Sequence, residues 1–228
     1  MSAVAIIVAA GPGTRLGAGE PKAFVRLAGE ALLARSLRAL LACPAITRSV
    51  VVVPPGCVER ARQLLAAITD ARPLAIVEGG AERQDSVRHG LDAAGEAELI
   101  AIHDAARPFV SRAAVEAAIA TARAHGAAIV ATPATDTVKQ VHPDGWIEAT
   151  PPRERLWLAQ TPQVFRTALL RAAHARARDS AATDDALLVE ALGARVHVVH
   201  GNPENRKITT PEDLRWAEWL LAQPATPR

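Results

Sequence analysis

The sequence predicts an α/β protein organised on a doubly wound, mostly parallel sheet with one inserted β-hairpin arm, and three observations carry that expectation. Short apolar, β-branched runs alternate with segments of helical leucine and alanine spacing along most of the 228 residues, the rhythm of a parallel sheet with crossover helices. The first run, Val4 to Ala10, is apolar at every position, as suits a strand buried on both faces. The rhythm breaks once, between Pro133 and Pro152, where two β-branched segments flank Asp144-Gly145, a dipeptide that favours a tight hairpin turn.

In chain order, strand Val4 to Ala10 runs into a glycine-rich loop that reaches Lys22. Leucines 33, 37, 40 and 41 give Glu30 to Ala42 a helical face, which Pro44 closes. Val50 to Val53 is a second buried strand, stopped by Pro54-Pro55-Gly56; a helix spans Glu59 to Ile68 and a strand Leu74 to Val77. Gly79-Gly80 ends that strand, and Asp85 to Ala94 reads as helix. Strand Leu99 to His103 ends at Asp104, helix Ser111 to Ala124 begins at a serine cap, and Ala127 to Ala131 is again strand. Beyond the arm the chain resumes at Leu156, with helices near 166 to 177 and 183 to 192 and a strand from Val196 to His200. Thr210 caps a final helix whose first turn is Pro211-Glu212-Asp213. Residues 1–228 read as one domain, with 133–152 as a protruding arm. A hairpin of that size buries little alone, and Trp146 near its tip points to packing on a second subunit.

Composition narrows the function classes. No apolar run approaches the roughly 18 residues of a membrane span, and only Met1 to Ala3 precede the first strand, so a soluble cytoplasmic protein with no membrane partner is expected. Net charge is +2, the basic residues are dispersed and tyrosine is absent; neither the basic footprint nor the stacking platform of a nucleic-acid binder is there. Cys43 and Cys57 form no C-x-x-C pair, and packing is their expected role. Arginine outnumbers lysine 23 to three, so Lys22 and Lys207 stand out as places where a crowded phosphate site can require a compact ammonium in place of a planar fork, and Lys139 either shares that reason or stands there by chance.

The glycine-rich loop is where the chemistry concentrates. Gly11, Gly13 and Gly17 permit positive φ and let backbone N–H groups approach an anion, and ligands of open α/β sheets bind at the carboxyl ends of such strands. Leu16 breaks the G-x-G-x-x-G fingerprint, and Lys22, between Pro21 and Ala23, does not make a P-loop. The loop reads instead as a triphosphate cradle whose charges are Arg15 and Lys22, against the alternative of a glycine-rich βα turn of any α/β protein. If the loop binds a nucleoside triphosphate, phosphoryl transfer there needs little covalent help from the protein, and catalysis is positioning plus neutralisation of charge. Asp104, directly after a buried strand, is placed to hold Mg2+; taken alone, it serves equally as a helix cap or an ion-pair partner of Arg107. His103 reads as a packing residue.

The segment Ala9-Ala10-Gly11-Pro12-Gly13-Thr14-Arg15-Leu16-Gly17 with Pro21-Lys22 resembles the signature of the sugar-phosphate nucleotidyltransferases. His103-Asp104-Ala105-Ala106-Arg107-Pro108 narrows the resemblance to the 2-C-methyl-D-erythritol 4-phosphate cytidylyltransferase family. Similar segments recur at Gly79 to Val87, Asp136 to Lys139, Arg153, Thr161-Pro162-Gln163, Thr183-Asp184-Asp185 and Asn205 to Thr209, so the likeness runs from about Val4 to about Leu221. The resemblance implies a Rossmann-like nucleotidyltransferase fold, transfer of CMP from CTP to the polyol phosphate in non-mevalonate isoprenoid synthesis, Mg2+, and a homodimer joined through the 133–152 arm. By the same resemblance Arg15 and Lys22 stabilise the transition state, while Arg153 and Lys207 orient the acceptor. Arg107, Thr137 and Thr161 contact that acceptor, and Ala9, Ala10, Gly11, Gly13, Gly80, Arg83, Ser86, Asp104 and Ala105 bind the nucleotide.

Two positions depart from the family pattern: Ala81 stands where some relatives carry an acidic residue, and Glu204 where others carry aspartate. Arg155 could take the part given to Arg153. Two other readings stay open. A cytidylyltransferase for another polyol phosphate, such as ribitol 5-phosphate, would share the CTP half of the site, and a catalytically silent nucleotide-binding protein could occupy the same scaffold.

Overall fold

A computed structural model describes residues 2–11, 13, 16, 17, 19–68, 70–177 and 182–223. Strand β1 (Ala3–Val8) stops two residues short of its apolar run, because Ala9 and Ala10 already belong to the loop, although the Ala9 N–H still donates to Val52 O at 2.8 Å. A short ribbon, β2 (Arg26–Leu27) and β3 (Glu30–Ala31), takes the first residues of the expected helix, so α1 (Leu32–Leu41) begins at Leu32. Then follow β4 (Ile46–Val53), α2 (Val58–Leu65), β5 (Leu74–Glu78), α3 (Arg83–Ala94), β6 (Leu99–Asp104), α4 (Arg112–His125) and β7 (Ala127–Pro133). The arm is the antiparallel pair β8 (Gln140–Val141) and β9 (Ile147–Ala149). Strand β10 (Trp157–Arg166) returns to the sheet and is followed by α5 (Thr167–Arg176), α6 (Asp185–Glu190), β11 (His197–His200) and α7 (Pro211–Ala222).

The sheet has seven strands in the order β11-β7-β10-β6-β1-β4-β5. Every pairing is parallel except those of β10, which runs antiparallel to both β6 and β7. The sequence gives this strand no clean signal, since Gln160, Thr161, Pro162 and Gln163 interrupt its apolar character. The three polar side chains among them are nevertheless buried, and each is hydrogen-bonded as burial demands.

Alternation along the strands sends side chains to two cores. Ile7, Val51 and Val53 join Leu33, Leu37 and Leu40 of α1 and Val115 and Ile119 of α4 on one face. Ile6, Val50 and Val52 join Val87 and Leu91 of α3, Phe165 and Leu170 on the other. Gly90 lets α3 lie flush on β1: a Cβ there would stand 2.5 Å from Ile6 Cγ2. The outer helix α7 packs on the β2–β3 ribbon through Leu27, Leu32, Ile208 and Ala217, with Phe109 set edge-on to Trp216. Thr210 caps α7 and forms a reciprocal capping box with Asp213. No helix among the described residues is long and apolar enough to cross a membrane.

Candidate active site

A cavity of about 290 Å3 opens at the carboxyl ends of β1 and β6, where parallel-sheet proteins hold their ligands. Ala9, Ala10, Gly11 and Lys22 line it from the glycine-rich loop, and Gly80, Arg83 and Ser86 from the start of α3. Asp104 and Ala105 come from the end of β6, and Lys207 from the segment before α7. Ten of the residues singled out in the sequence thus meet in one place.

Each wall has a local cause. Gly13 takes φ +66°, and a Cβ on it would stand 2.4 Å from Lys22 Cβ, so the glycine lets the loop close against the lysine-bearing turn Lys22–Phe24. At α3, Glu82 and Asp85 form a capping box, and the Ser86 hydroxyl donates to Glu82 O and accepts from Gly80 N–H, each at 3.2 Å. Those bonds hold the Gly79–Ala81 backbone along the cavity rim. The Lys207 segment is tied to the Asp104 segment by Ile208 N–H donating to Ala106 O at 2.8 Å.

Asp104 is the electrostatic hub. Its Oδ2 lies 2.8 Å from Lys207 Nζ and 3.7 Å from Arg107 Nε, and its Oδ1 lies 3.8 Å from Arg83 Nε. Burial alone would raise its pKa, but the charges of Lys207 and Arg83, a hydrogen bond from Lys207 and the charge of Arg107 outweigh burial and hold the carboxyl well below the ordinary range. The carboxylate is therefore ionised at neutral pH. Among the described residues no three His, Cys, Asp or Glu side chains cluster to hold a metal by themselves. One ionised carboxylate lining this cavity does suit Mg2+, which takes few protein ligands and completes its shell from phosphate and water.

Two predicted acceptor contacts turn out to stand behind the cavity wall. Thr161 is buried; its hydroxyl accepts from Asp104 N–H at 3.1 Å and donates to His103 Nδ1 at 2.9 Å. The other ring nitrogen of His103 donates to Arg107 O at 3.0 Å, and burial pushes the imidazole pKa down to about 4, so the ring is neutral. His103 is thus more than packing, since it fixes both neighbours of Asp104. Arg107 donates through its two Nη groups to Asn205 O at 2.8 Å and Ala159 O at 3.3 Å. Thr137 and Arg153 are exposed at the base of the arm and do not line the cavity, and Arg153 donates to Thr135 O at 2.9 Å. Arg15 lies outside the described residues.

Comparison with known proteins gives the family and the fold. The family model for IspD, 2-C-methyl-D-erythritol 4-phosphate cytidylyltransferase, matches residues 3–223. The chain belongs to that family. The cytidylyltransferase of Geobacter metallireducens is 48% identical over 98% of this chain and 99% of its own length. The crystal structure of the Thermus thermophilus cytidylyltransferase superposes with a TM-score of 0.79 at 40% identity, covering 96% of this chain and 98% of that one. A solved 4-diphosphocytidyl-2C-methyl-D-erythritol synthase from Anaerococcus prevotii gives a TM-score of 0.87 at 31% identity, over 97% and 96% of the two chains. As a member of the cytidylyltransferase family the protein is a transferase built on the Rossmann-like nucleotidyltransferase fold.

In this cytidylyltransferase the side chains that hold the site in shape carry no local signal in the sequence. Asn205 is buried and donates through Nδ2 to Gln160 Oε1 at 3.0 Å and to Thr161 O at 2.9 Å, pinning the loop that presents Lys207. Buried amides 45 and 44 residues apart in sequence from their partners leave no local signature; the only clue was their place inside segments that resemble the family.

Proposed function

We infer that the protein transfers CMP from CTP to 2-C-methyl-D-erythritol 4-phosphate with release of pyrophosphate, a step of isoprenoid precursor synthesis. The observation that carries this reading is the convergence of Lys22, Asp104 and Lys207 on one cavity at the sheet's carboxyl edge. A phosphate oxygen of the acceptor attacks the α-phosphorus of CTP and forms a new P–O bond. The bond from that phosphorus to the bridging oxygen breaks, and pyrophosphate leaves with the electron pair. A phosphate monoester is already largely ionised at neutral pH, so no general base is required. Lys22 and Lys207 offset the charge that builds on the phosphoryl oxygens, and Arg15 takes the same part by the family pattern.

Mg2+ is the cation this donor set suits: Asp104 would hold it together with triphosphate oxygens, and it would neutralise part of their charge. Gly80, Arg83, Ser86 and Ala105 frame the cytidine. Thr161 and Arg107 support the acceptor side by fixing Asp104 and Asn205. Thr137 and Arg153 complete that side from the arm of a second copy in a homodimer, with Arg155 beside Arg153 on the same turn. Support for the dimer comes from the arm's apolar surface, where Val141, Trp146 and Ile147 are 54%, 53% and 57% exposed. The reading is that of a cytoplasmic enzyme drawing on the nucleotide pool.

The test is pyrophosphate release by the purified protein with CTP and Mg2+ and one of three conditions: methylerythritol phosphate, ribitol 5-phosphate or no acceptor. Release with methylerythritol phosphate alone is the expected result. Release with ribitol 5-phosphate alone would reassign the acceptor, and CTP binding without release would make the protein a nucleotide binder.

A further inference from the structure

The segment Thr183-Asp184-Asp185 has no part in the chemistry derived so far, yet it ends in the most buried carboxylate near the cavity. Asp185 is 1% exposed. Its Oδ2 lies 2.8 Å from Arg83 Nη1, and its Oδ1 accepts from His174 Nε2 at 2.9 Å. Gln163 fixes the backbone beneath it: Gln163 Oε1 accepts from Asp185 N–H at 3.1 Å and Ala186 N–H at 3.2 Å, while its Nε2 donates to Asp184 Oδ2 at 2.8 Å. Asp184 in turn caps α6 by accepting from Leu187 N–H. A buried carboxylate is costly unless it is paired and hydrogen-bonded. Here the arrangement meets that cost and leaves one oxygen aimed at a cavity residue.

We propose that Asp185 is a positioning residue that holds Arg83 in its nucleotide-binding orientation, with His174 fixing its carboxylate and Gln163 its backbone. The proposal rests on the reading of Arg83 as a nucleotide contact. Arg83 is a long side chain with several rotamers, and ordering it on each binding event would weaken affinity. Asp185 grips Nη1 from inside the protein, while Nε faces Asp104 at 3.8 Å, so the guanidinium is set across the cavity wall before CTP arrives. Strand β10 supplies Gln163 and helix α5 supplies His174, so the grip is anchored in two rigid elements.

The experiment measures the CTP Kd by calorimetry, together with kcat and KM, for wild type, Arg83→Gln, Asp185→Asn, His174→Gln and the Arg83→Gln/Asp185→Asn pair. Asp185→Asn is expected to raise both the Kd and the KM for CTP about tenfold, with the KM for the polyol phosphate and kcat within about threefold of wild type. In the Arg83→Gln background the same substitution is expected to change the CTP Kd by less than about twofold, because its effect passes through the missing arginine. His174→Gln keeps the carboxylate and serves if Asp185→Asn does not fold; its expected effect is about threefold on CTP Kd. An unchanged CTP Kd in Asp185→Asn, or in His174→Gln where that is the variant that folds, overturns the proposal, as does a full additive loss in the double variant. If Arg83→Gln itself binds CTP like wild type, the reading of Arg83 fails first, and the positioning role falls with it.

Discussion

Lys207 Nζ sits 2.8 Å from Asp104 Oδ2, the shortest of the three cationic approaches to that carboxylate. The two residues lie far apart in the chain, so the contact exists only in the folded protein. Removing the ammonium leaves Arg83 and Arg107 on Asp104. Lys207→Ala is therefore expected to fold normally and to lose at least about 100-fold in kcat/KM for the acceptor. Steady-state kinetics beside a CTP binding titration check this, and a loss confined to CTP binding would contradict it.

Lys22 stands at the start of the turn that Gly13 packs against. Its charge acts chiefly on the transition state, so Lys22→Ala is expected to lower kcat by about 100- to 1,000-fold while the melting temperature stays within about 2 °C. A variant turning over near the wild-type rate would remove Lys22 from the mechanism.

The neutral, buried His103 gives stability a pH dependence with a definite sign. Its pKa falls from 6.5 to about 4 on folding, so between those values the unfolded chain binds a proton that the folded chain does not. Stability from this source is complete above pH 6.5 and is lost as pH falls toward 4, by up to about 3 kcal/mol. Asp104 adds a second loss in the same direction, beginning below the ordinary aspartate pKa of about 3.9. Urea unfolding at stepped pH is expected to show a shallower slope between pH 6.5 and 4 for His103→Gln than for wild type; equal slopes would exclude the histidine as the source.

Thr161→Val deprives Asp104 N–H and His103 Nδ1 of their shared partner. We expect a loss of about 2 kcal/mol, read as a drop of about 4–8 °C in melting temperature for a chain of this size. The acceptor KM is expected to stay within about threefold. A tenfold rise in that KM at unchanged stability would instead return the hydroxyl to direct acceptor contact.

Arm exchange makes its own prediction. If the protein is the proposed arm-exchanged dimer, charging the exposed apolar face with Trp146→Asp and Ile147→Asp together is expected to give a monomer in light scattering and to weaken acceptor binding more than CTP binding. A double variant that remains dimeric would move the interface elsewhere.

Much of this architecture is written locally. The apolar strands β1, β4 and β6, the Ser111 and Thr210 caps and the Asp144-Gly145 turn each follow from residues within a few positions of one another. The loop residues Ala9 to Gly11 and Lys22 were readable for the same reason. Pairings across the chain were not: Arg83 and Asp185 are 102 positions apart, and Arg107 and Asn205 98. Strand β10 escaped because its buried polar residues, satisfied only by distant partners, read locally as loop. Resemblance to the family marked those segments without giving the reason for their composition.

The antiparallel strand also has a consequence for synthesis. Strands β6 and β7 emerge from the ribosome before β10, which must later enter between them. Until residues 157–166 are made, the nascent chain carries the free edge of β6 and both edges of β7, the kind of surface on which chains mispair and aggregate. The centre of the sheet is thus among the last parts to close, and it closes on the strand that brings Thr161 behind Asp104. A half-made chain can assemble the β1–β4–β5 side, but Asp104 gains its support only with this late, non-local insertion, and the cavity gains Lys207 later still.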